Sequence, residues 1–507
     1  MEFGYGRDLS ALVSGMAKAG AAPAAAGGGR AVVSPVDGKT VVGPIADTPA
    51  AHVDGMVTLA EPGFRRWSAT PAEERAAALD RLADLLEADR DVLMSLLARE
   101  GGKTLADGIA EVREAVDFCR YYAGEARLLF REEVMPGPTG ERDVLRRRGR
   151  GVFVCISPWN FPLAIFLGQV TAALAAGNAV LAKPAEQTPL IAGHAFALLH
   201  RAGVPEDVAK LVPGDRKVGA ALVAHPRIAG VVFTGSTEVA FAINRALAAK
   251  SGPIVPLIAE TGGINAMIVD ATELPEQVSD DVVASAFRSA GQRCSALRIL
   301  YLQEDIADRM IDMIAGAAAE LKLGDPADPS TDVGPIIDAE ARANLQSHIA
   351  AMRKSATTRF VGQVPTGPLA GGWFFPPHII ELHDAKQLDR EVFGPILHVV
   401  RWRADELDQV LEAIAATGYG LTLGIHTRID ETARRIADRL NVGNVYVNRN
   451  IIGAVVGTQP FGGSGLSGTG PKAGGPDYLR RFAIEQAVSI NTAASGGNAS
   501  LIAMDDG

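Results

Sequence analysis

GVFVCI, residues 151–156, is the first of four short apolar runs that predict buried strands. The others are AVLA at 179–182, KLV at 210–212 and IAGVVF at 228–233, and segments with helical periodicity separate them. Strands that alternate with helices predict βαβ units and a parallel sheet that is covered on both faces. A second alternation of this kind runs from about residue 264 to about residue 458. The sequence therefore predicts two α/β domains in tandem.

Two kinds of segment lie outside these domains. Residues 1–30 end in the Ala/Gly-rich stretch AKAGAAPAAAGGGR, which predicts a flexible lead-in. The segment ERDVLRRR at 141–148 and the run from Tyr478 to Asn491 alternate like exposed strands. Such strands favour a protruding flap that pairs with another subunit, and a plain edge hairpin is the alternative.

The composition makes several kinds of partner unexpected. Of the 507 residues 49 are basic and 59 are acidic, so the formal net charge is −10. An acidic chain with no basic block longer than Arg146–Arg148 is not expected to bind nucleic acid. Three cysteines are too few for a disulfide framework and show no metal-ligand spacing, so no metal is expected. Because the sequence shows neither a signal-peptide pattern nor a membrane-spanning run, we expect a cytoplasmic protein without membrane insertion.

Cys294 is the candidate nucleophile. It lies in GQRCSA, residues 291–296, just after a predicted helix and among small and polar neighbours. A cysteine is more often buried core filling, which is the alternative for Cys294. Arg293 beside it could favour the thiolate, which is the reactive form. Cys119 and Cys155 lack such surroundings, and we interpret both as buried and inert.

Glu260 and Asn160 each follow an apolar strand and are candidates for a catalytic role. Glu260 ends the strand IVPLIAE at the edge where α/β sheets bind ligands, although an ordinary loop acid is an equal alternative. Asn160, in SPWNFP at 157–162, has a side-chain amide that suits an oxyanion. A proline-bounded turn with Asn160 as a helix N-cap is the alternative.

Two strand-to-helix connections have the geometry that receives a phosphate at a helix N-terminus. They are KPAE at 183–186 and FTGSTEVA at 233–240. Neither matches the dinucleotide fingerprint G-x-G-x-x-G, and Lys183 with Glu186 could equally be a solvated pair.

In this order, seven motifs resemble those of the aldehyde dehydrogenase superfamily from about Ser34 to Asn491. They are PWNFP (158–162), KPAEQTP (183–189), FTGSTEVA (233–240), ETGG (260–263), GQRCSA (291–296), EVFGP (391–395) and PFGGSGLSG (460–468). The continuations ETGGINAMIVD and GTQPFGGSGLSGTGPKAGGPDYL are similar to L-glutamate γ-semialdehyde (Δ1-pyrroline-5-carboxylate) dehydrogenases, above all the module of bacterial proline utilisation A. The tail at 496–507 resembles the C-terminal segment of that module.

The resemblance implies an α/β fold with a Rossmann-type NAD-binding domain, an α/β catalytic domain and a small β-flap for oligomerisation. The implied bounds are 31–133 and 150–258 for the NAD-binding domain, 259–457 for the catalytic domain, 134–149 and 476–495 for the flap, and 458–475 for a substrate-anchoring loop region. A homo-oligomer is implied, and a proline dehydrogenase is the implied partner or upstream domain.

The resemblance also implies roles for single residues in the NAD-dependent oxidation of L-glutamate γ-semialdehyde to L-glutamate, through a thiohemiacetal and a thioester on a cysteine. Cys294 would attack the aldehyde, Asn160 would hold the oxyanion, and Glu260 would be the general base. The implied NAD contacts are Ile156, Ser157, Pro158, Trp159, Lys183, Glu186, Gly214, Gly219, Thr234, Gly235, Ser236, Gly262, Glu391 and Phe393. The implied substrate contacts are Phe161, Arg293, Ser295, Gly463 and Ser464. Glu186 would repel a 2′-phosphate, which favours NAD over NADP.

Other functions remain open at this point. A dehydrogenase of another small aldehyde, such as a different semialdehyde, is the first alternative. A CoA-acylating enzyme would not need a general base, and Glu260 argues against it. Intact Cys294, Glu260 and Asn160 argue against a non-catalytic structural relative.

Overall fold

The computed structural model describes residues 6–20, 28–492 and 494. The helices are α1 (Gly6–Gly20), α2 (Val53–Ala69), α3 (Ala72–Ala88), α4 (Arg90–Gly101), α5 (Leu105–Leu129), α6 (Ala164–Ala175), α7 (Pro189–Arg201), α8 (Arg216–Ala224), α9 (Thr237–Ala248), α10 (Pro275–Phe287), α11 (Glu304–Ala319), α12 (Ala339–Met352), α13 (Leu407–Ala416) and α14 (Asp430–Arg439). Short 3₁₀ turns lie at Ala50–His52, Arg288–Gly291, Gly367–Leu369, Ala385–Gln387 and Leu479–Phe482. Within these ranges, no helix combines the length and the apolar character needed to cross a membrane.

The strands form two large sheets and three small ones. They are β1 (Arg30–Val33), β2 (Val41–Ile45), β3 (Glu133–Met135), β4 (Glu141–Gly149), β5 (Val152–Ile156), β6 (Ala179–Lys183), β7 (Ala209–Leu211), β8 (Ile228–Gly235), β9 (Leu257–Thr261), β10 (Ala266–Val269), β11 (Ile299–Gln303), β12 (Thr357–Val361), β13 (His378–Glu381), β14 (Ile396–Trp402), β15 (Tyr419–Gly420), β16 (Thr422–His426), β17 (Asn444–Val447), β18 (Ser464–Gly465) and β19 (Ala483–Asn491).

The four apolar runs of the first alternation form a parallel sheet, as predicted. Its strand order is β7-β6-β5-β8-β9, and all neighbours are parallel. Alternate residues of β5 enter different cores, since Phe153 packs in one cluster and Val154 in the other. Because β5 lies between β6 and β8, chain order reverses at β5, and a crevice opens there at the carboxyl ends of the strands.

The second alternation also forms a sheet covered on both faces. Its order is β12-β13-β14-β11-β10-β16-β17, and only β12 is antiparallel to its neighbour. Ile268 and Met267, consecutive in β10, belong to separate cores on the two faces. The predicted α/β class with two sheets is confirmed.

One predicted domain boundary falls inside a strand. The expected catalytic domain begins at residue 259, yet β9 pairs with β8 as far as Thr261, opposite Gly235. Glu260 therefore belongs to β9, the last strand of the first sheet, and lies one residue before its end. A bridge between Glu260 and Gly468 ties the same strand to the loop that follows β17.

The predicted flap strands form a three-stranded antiparallel sheet of order β19-β4-β3. β19 pairs with β4 along its whole length, from Ala483 opposite Gly149 to Asn491 opposite Glu141. Val134 on the outer strand is 69% exposed. Pairing of this flap with another subunit stays a prediction.

The expected flexible lead-in is wrong for residues 6–20, which form α1. Leu12 and Met16 are buried in the first core, and Leu9 and Val13 pack against it. Apolar residues at helical spacing give α1 a face to bury, and this pattern outweighs the Ala/Gly-rich stretch after it. Residues 1–5 and 21–27 lie outside the described residues, as do 495–507, which include the tail at 496–507.

Helix α7 is capped by a side chain from another helix. Its own N-cap residue, Thr188, makes no side-chain cap hydrogen bond. The carboxylate of Glu100, at the end of α4, instead accepts hydrogen bonds from Leu190 N at 2.7 Å and Ile191 N at 3.0 Å. Free N–H groups at a helix start need such a partner when they are buried.

We expect Glu100→Ala to destabilise the protein, because it leaves these two N–H groups without an acceptor. The loss is about 1–3 kcal/mol, measured by urea unfolding. Glu100→Gln keeps an acceptor oxygen and should lose less. Equal stability of Glu100→Ala and wild type would contradict the capping role.

Candidate active site

The backbone before Cys294 makes a tight left-handed turn after α10. Ser289, Ala290 and Gly291 have φ values of 54°, 55° and 63°. A side chain at Gly291 would collide with the carbonyl of Gly394. The Asn265 side-chain amide donates to the Cys294 carbonyl at 2.6 Å and thereby fixes the residue after the turn.

The Cys294 thiol is buried beside two carboxylates. Burial, followed by the charges of Glu391 and Glu260, raises the pKa of the thiol to about 12, and Arg298 opposes this rise. The Arg293 guanidinium donates to Asp107 at 2.8 Å. Arg298 therefore replaces Arg293 as the cation that favours the thiolate.

Cys294 lines a cavity of about 480 Å³ together with several predicted site residues. The predicted residues on its wall are Phe161, Thr234, Glu260, Arg293, Cys294 and Ser295. The cavity opens between the two large sheets, at the carboxyl ends of β8 and β9. A nucleophile and a carboxylate thus face one space of a size that suits a small substrate.

The Glu260 carboxylate lies against the loop after β17. Its Oε2 accepts a hydrogen bond from Gly463 N at 3.0 Å, and its Oε1 is buried without a partner. A Cβ on Gly462 or Gly468 would approach the Glu260 carboxylate oxygens to 2.8 Å, so glycine leaves room there. Burial raises the pKa of Glu260 to about 8, while the Gly463 N–H and Lys472 lower it. Such a group can take up a proton near neutral pH.

Asn160 is buried and is not among the residues that line the cavity. Its Nδ2 donates to the carbonyl of Gln292 at 3.1 Å, two residues before Cys294. Helix α6 begins only at Ala164, and its N-cap residue is Leu163. The alternative of Asn160 as a helix N-cap is therefore wrong.

The carboxyl ends of β5, β6 and β8 form the crevice where the nucleotide contacts are predicted. Lys183 is buried at the end of β6, and its pKa is lowered by burial although Glu186 opposes this. Ser236 caps the twelve-residue helix α9 through its Oγ. Ser157 Oγ, after β5, is buried without a partner. An unused hydroxyl, a helix N-terminus and a cation fit a dinucleotide with its pyrophosphate.

Several other predicted nucleotide contacts line this crevice or support it. Ile156, Pro158 and Thr234 lie at the ends of β5 and β8, with Thr234 Oγ1 accepting from Gln169 at 2.9 Å. Gly214 precedes α8, and a Cβ on Gly219 in α8 would lie 3.4 Å from the Lys183 side chain.

A second group of predicted contacts surrounds Glu391. Its Oε1 forms an ion pair of 3.1 Å with Arg298, which is fully buried. A side chain at Gly262 would collide with the Glu391 carboxylate. Trp159 meets Phe393 edge to face at 5.6 Å. Arg298 is not among the residues predicted from the sequence, although its position just before the apolar strand ILYLQ is a signal.

The structure does not bring Gly463 and Ser464 to the cavity wall. Gly463 N is engaged by Glu260, and Ser464 Oγ donates to the carbonyl of Asn441 at 3.0 Å. The segment after β17 takes their place, and it contributes Arg449, Asn450, Ile452, Gly453, Ala454, Val455 and Val456. Glu114 of α5 also lines the cavity, and burial raises its pKa to about 7. Neither the segment after β17 nor Glu114 is predicted from the sequence. For the segment, a glycine in RNIIGAVVG is a signal of close approach of a backbone.

The described residues contain no group of three or more His, Cys, Asp or Glu side chains that could hold a metal ion.

Comparison with known proteins matches most of the chain to one family. A model described as the aldehyde dehydrogenase family matches residues 24–488. The chain is 54% identical over 468 residues to the bifunctional protein PutA of Klebsiella aerogenes. The aligned residues make up 91% of this chain and 35% of that relative. The chain is also 36% identical over 453 residues to the 1-pyrroline-5-carboxylate dehydrogenase of Geobacillus sp. (strain WCH70). The aligned residues make up 88% of this chain and 87% of that relative.

A solved structure agrees over almost the whole chain. The crystal structure of 1-pyrroline-5-carboxylate dehydrogenase from Thermus with bound NAD has a TM-score of 0.89 and 33% sequence identity, covering 97% of both chains.

Proposed function

The chain belongs to the aldehyde dehydrogenase family, and we propose that it oxidises L-glutamate γ-semialdehyde to L-glutamate with NAD. The observation that carries this is the shared cavity of Cys294 and Glu260, a thiol and a carboxylate of raised pKa. The named activity of the Geobacillus and Thermus relatives supports the substrate. Hydrolysis of the cyclic imine 1-pyrroline-5-carboxylate opens it to this semialdehyde.

Cys294 and Asn160 perform the first bond formation in this proposal. The thiol of Cys294 gives up its proton to solvent, and its sulfur adds to the aldehyde carbon. The resulting oxyanion is held by the side-chain amide of Asn160 and the backbone N–H of Cys294. NAD supplies the acceptor for the hydride that leaves this carbon.

Glu260 acts in the second half of the reaction. The carbon then forms a thioester with Cys294. Glu260 takes a proton from a water molecule, whose oxygen attacks the thioester carbon. The carbon–sulfur bond breaks, the carboxylic acid leaves, and the proton on Glu260 passes to the Cys294 sulfur, which restores the thiol. The unpartnered Oε1 of Glu260 is the acceptor that such a water needs.

The residues of the crevice would hold NAD. We assign the adenosine end to Lys183 and Glu186, the pyrophosphate to the N-terminus of α9 at Ser236, and the nicotinamide end to Glu391 and Phe393. The remaining contacts predicted from the sequence are assigned with them.

Glu186 should make the enzyme prefer NAD over NADP, because its exposed carboxylate repels a 2′-phosphate. We expect Glu186→Ser to raise kcat/KM for NADP about tenfold, which corresponds to about 1.4 kcal/mol. Steady-state kinetics with both cofactors measure this. An unchanged ratio of kcat/KM for NADP to kcat/KM for NAD would show that Glu186 does not contact the cofactor.

The far end of the cavity would recognise the amino-acid end of the substrate. Ser295 and the backbone around Gly453 are suited to its carboxylate, since glycine lets N–H groups converge on an anion. Phe161 would pack on the aliphatic stem. Arg293 adds positive charge on the same wall.

The substrate is tested by comparing three aldehydes. We expect kcat/KM for glutamate γ-semialdehyde to exceed that for propanal and for succinate semialdehyde by at least about 100-fold, because two charged groups are bound. NADH formation is followed at 340 nm for each aldehyde. Equal efficiencies would mean that another small aldehyde is the substrate.

The assembly and location of the enzyme are further parts of the proposal. Exposed apolar residues at the flap edges, Val134 and Ile490, support a homo-oligomer joined through the flap. The chain spans about a third of the bifunctional PutA relatives, and a proline dehydrogenase, as a partner or further domain, would supply the substrate. The free thiols of Cys119, Cys155 and Cys294 suit the cytoplasm.

A further inference from the structure

Lys103 contacts the backbone of Asn160 from behind the active site. It follows α4, is buried with 6% of its side chain exposed, and donates from Nζ to the Asn160 carbonyl at 2.5 Å. Its Nζ also lies 4.2 Å from the centre of the Phe161 ring. A buried ammonium group thus holds two consecutive residues of the loop between β5 and α6.

Glu111 of α5 holds the other end of the same loop. Its side chain is completely buried, and its Oε1 accepts hydrogen bonds from Leu163 N at 2.9 Å and Ala164 N at 3.4 Å. These N–H groups begin α6, which has no side-chain cap of its own. The carboxylate therefore supplies the missing cap from another helix.

Lys103 and Glu111 also bind each other. Lys103 Nζ lies 3.3 Å from Glu111 Oε2 in a fully buried ion pair. Such a pair seldom stabilises a fold more than apolar residues of the same volume would, because both charges lose their hydration. Here Lys103 donates to a backbone carbonyl of the segment 160–164, and Glu111 accepts hydrogen bonds from two backbone N–H groups of the same segment. The pair therefore fixes the path of that segment.

We propose that Lys103 and Glu111 are positioning residues that fix Asn160 so that its side-chain amide is oriented for the oxyanion. This rests on the proposed function of Asn160. Among the residues that the structure describes, the side-chain amide of Asn160 has one hydrogen-bond partner, the carbonyl of Gln292. Its direction therefore depends on its backbone, which Lys103 and Glu111 hold on both sides. Misplacement of an oxyanion donor by about 1 Å costs up to about 100-fold in rate.

The test compares Lys103→Met with Asn160→Ala and with the double variant. We expect Asn160→Ala to lower kcat about 10²–10³-fold and Lys103→Met to lower it about 10–100-fold. If Lys103 acts through Asn160, the double variant is no slower than Asn160→Ala alone. Independent effects would multiply instead, and that result would overturn the proposal.

Two controls separate positioning from general damage. Alkylation of Cys294 by iodoacetamide involves no oxyanion, so its rate should be unchanged in Lys103→Met. Arg75 is a buried cation that donates to Ala175 O at 3.3 Å, at the other end of α6. Arg75→Met should cost stability while kcat stays near that of wild type. A kcat of Lys103→Met equal to that of Arg75→Met would also overturn the proposal.

Glu111→Gln carries the same test if Lys103→Met does not fold. It keeps an acceptor for the N–H groups of α6 but removes the charge that holds Lys103. We expect Glu111→Gln to lower kcat about 10-fold. In the double variant with Asn160→Ala, kcat should be no lower than in Asn160→Ala alone. Full activity of Asn160→Ala would instead refute the proposed role of Asn160, so the two failures are distinguishable.

Discussion

Cys294→Ala is expected to abolish NADH formation from glutamate γ-semialdehyde, with a loss in kcat of at least about 10⁴-fold. Without the thiol, neither the addition to the aldehyde nor the thioester can form. The measurement is steady-state NADH production by wild type and variant at saturating aldehyde and NAD.

The two other cysteines are the matched controls. Cys119 and Cys155 are fully buried, and burial raises the pKa of both thiols far above the ordinary value. Cys119→Ala and Cys155→Ala should keep kcat near the wild-type value, although each leaves a small cavity. Substantial activity in Cys294→Ala would show that Cys294 is not the nucleophile.

Glu260→Gln is expected to release about one equivalent of NADH per site in a burst and then to turn over about 10²–10⁴-fold more slowly. The first half of the reaction reaches the thioester, and the amide at position 260 does not activate water. Stopped-flow absorbance measures the burst and the later rate. A variant without a burst would show that Glu260 is needed before the thioester, for instance to deprotonate Cys294.

The pH dependence follows from the same carboxylate. Burial raises the pKa of Glu260 to about 8, and only the ionised form is a base. The wild-type kcat should therefore rise as pH increases through about 8 and level off above it. The slow phase of Glu260→Gln should lack this rise. A wild-type kcat that falls with pH over this range would contradict the assignment.

Local sequence patterns predicted the sheets well. In β5, consecutive residues such as Phe153 and Val154 enter different cores, so a continuous apolar run was the right signal for a strand buried on both faces. Helix α1 was not predicted, because the Ala/Gly-rich composition of residues 17–30 suggests a flexible segment. The helical spacing of Leu12 and Met16 is the signal that predicts this helix.

The site could be predicted only where motifs mark it. Cys294, Glu260 and Phe161 meet in one cavity, as expected from their motifs. The contacts of Lys103 and Glu111 with the Asn160 loop join residues about 50 positions apart, as the separations of 57 and 52 show. Periodicity does not report such pairs. Gly463 was misplaced because its N–H is used by Glu260, a choice that only the folded loop determines.

The covalent state of Cys294 during turnover shows whether this residue is the nucleophile. Glu260→Gln is mixed with glutamate γ-semialdehyde and NAD, quenched in acid, digested and examined by peptide mass spectrometry. We expect a glutamyl thioester on the peptide that contains Cys294, in an amount equal to the NADH burst. A burst without an acyl group on Cys294, or with the acyl group on another residue, would contradict it.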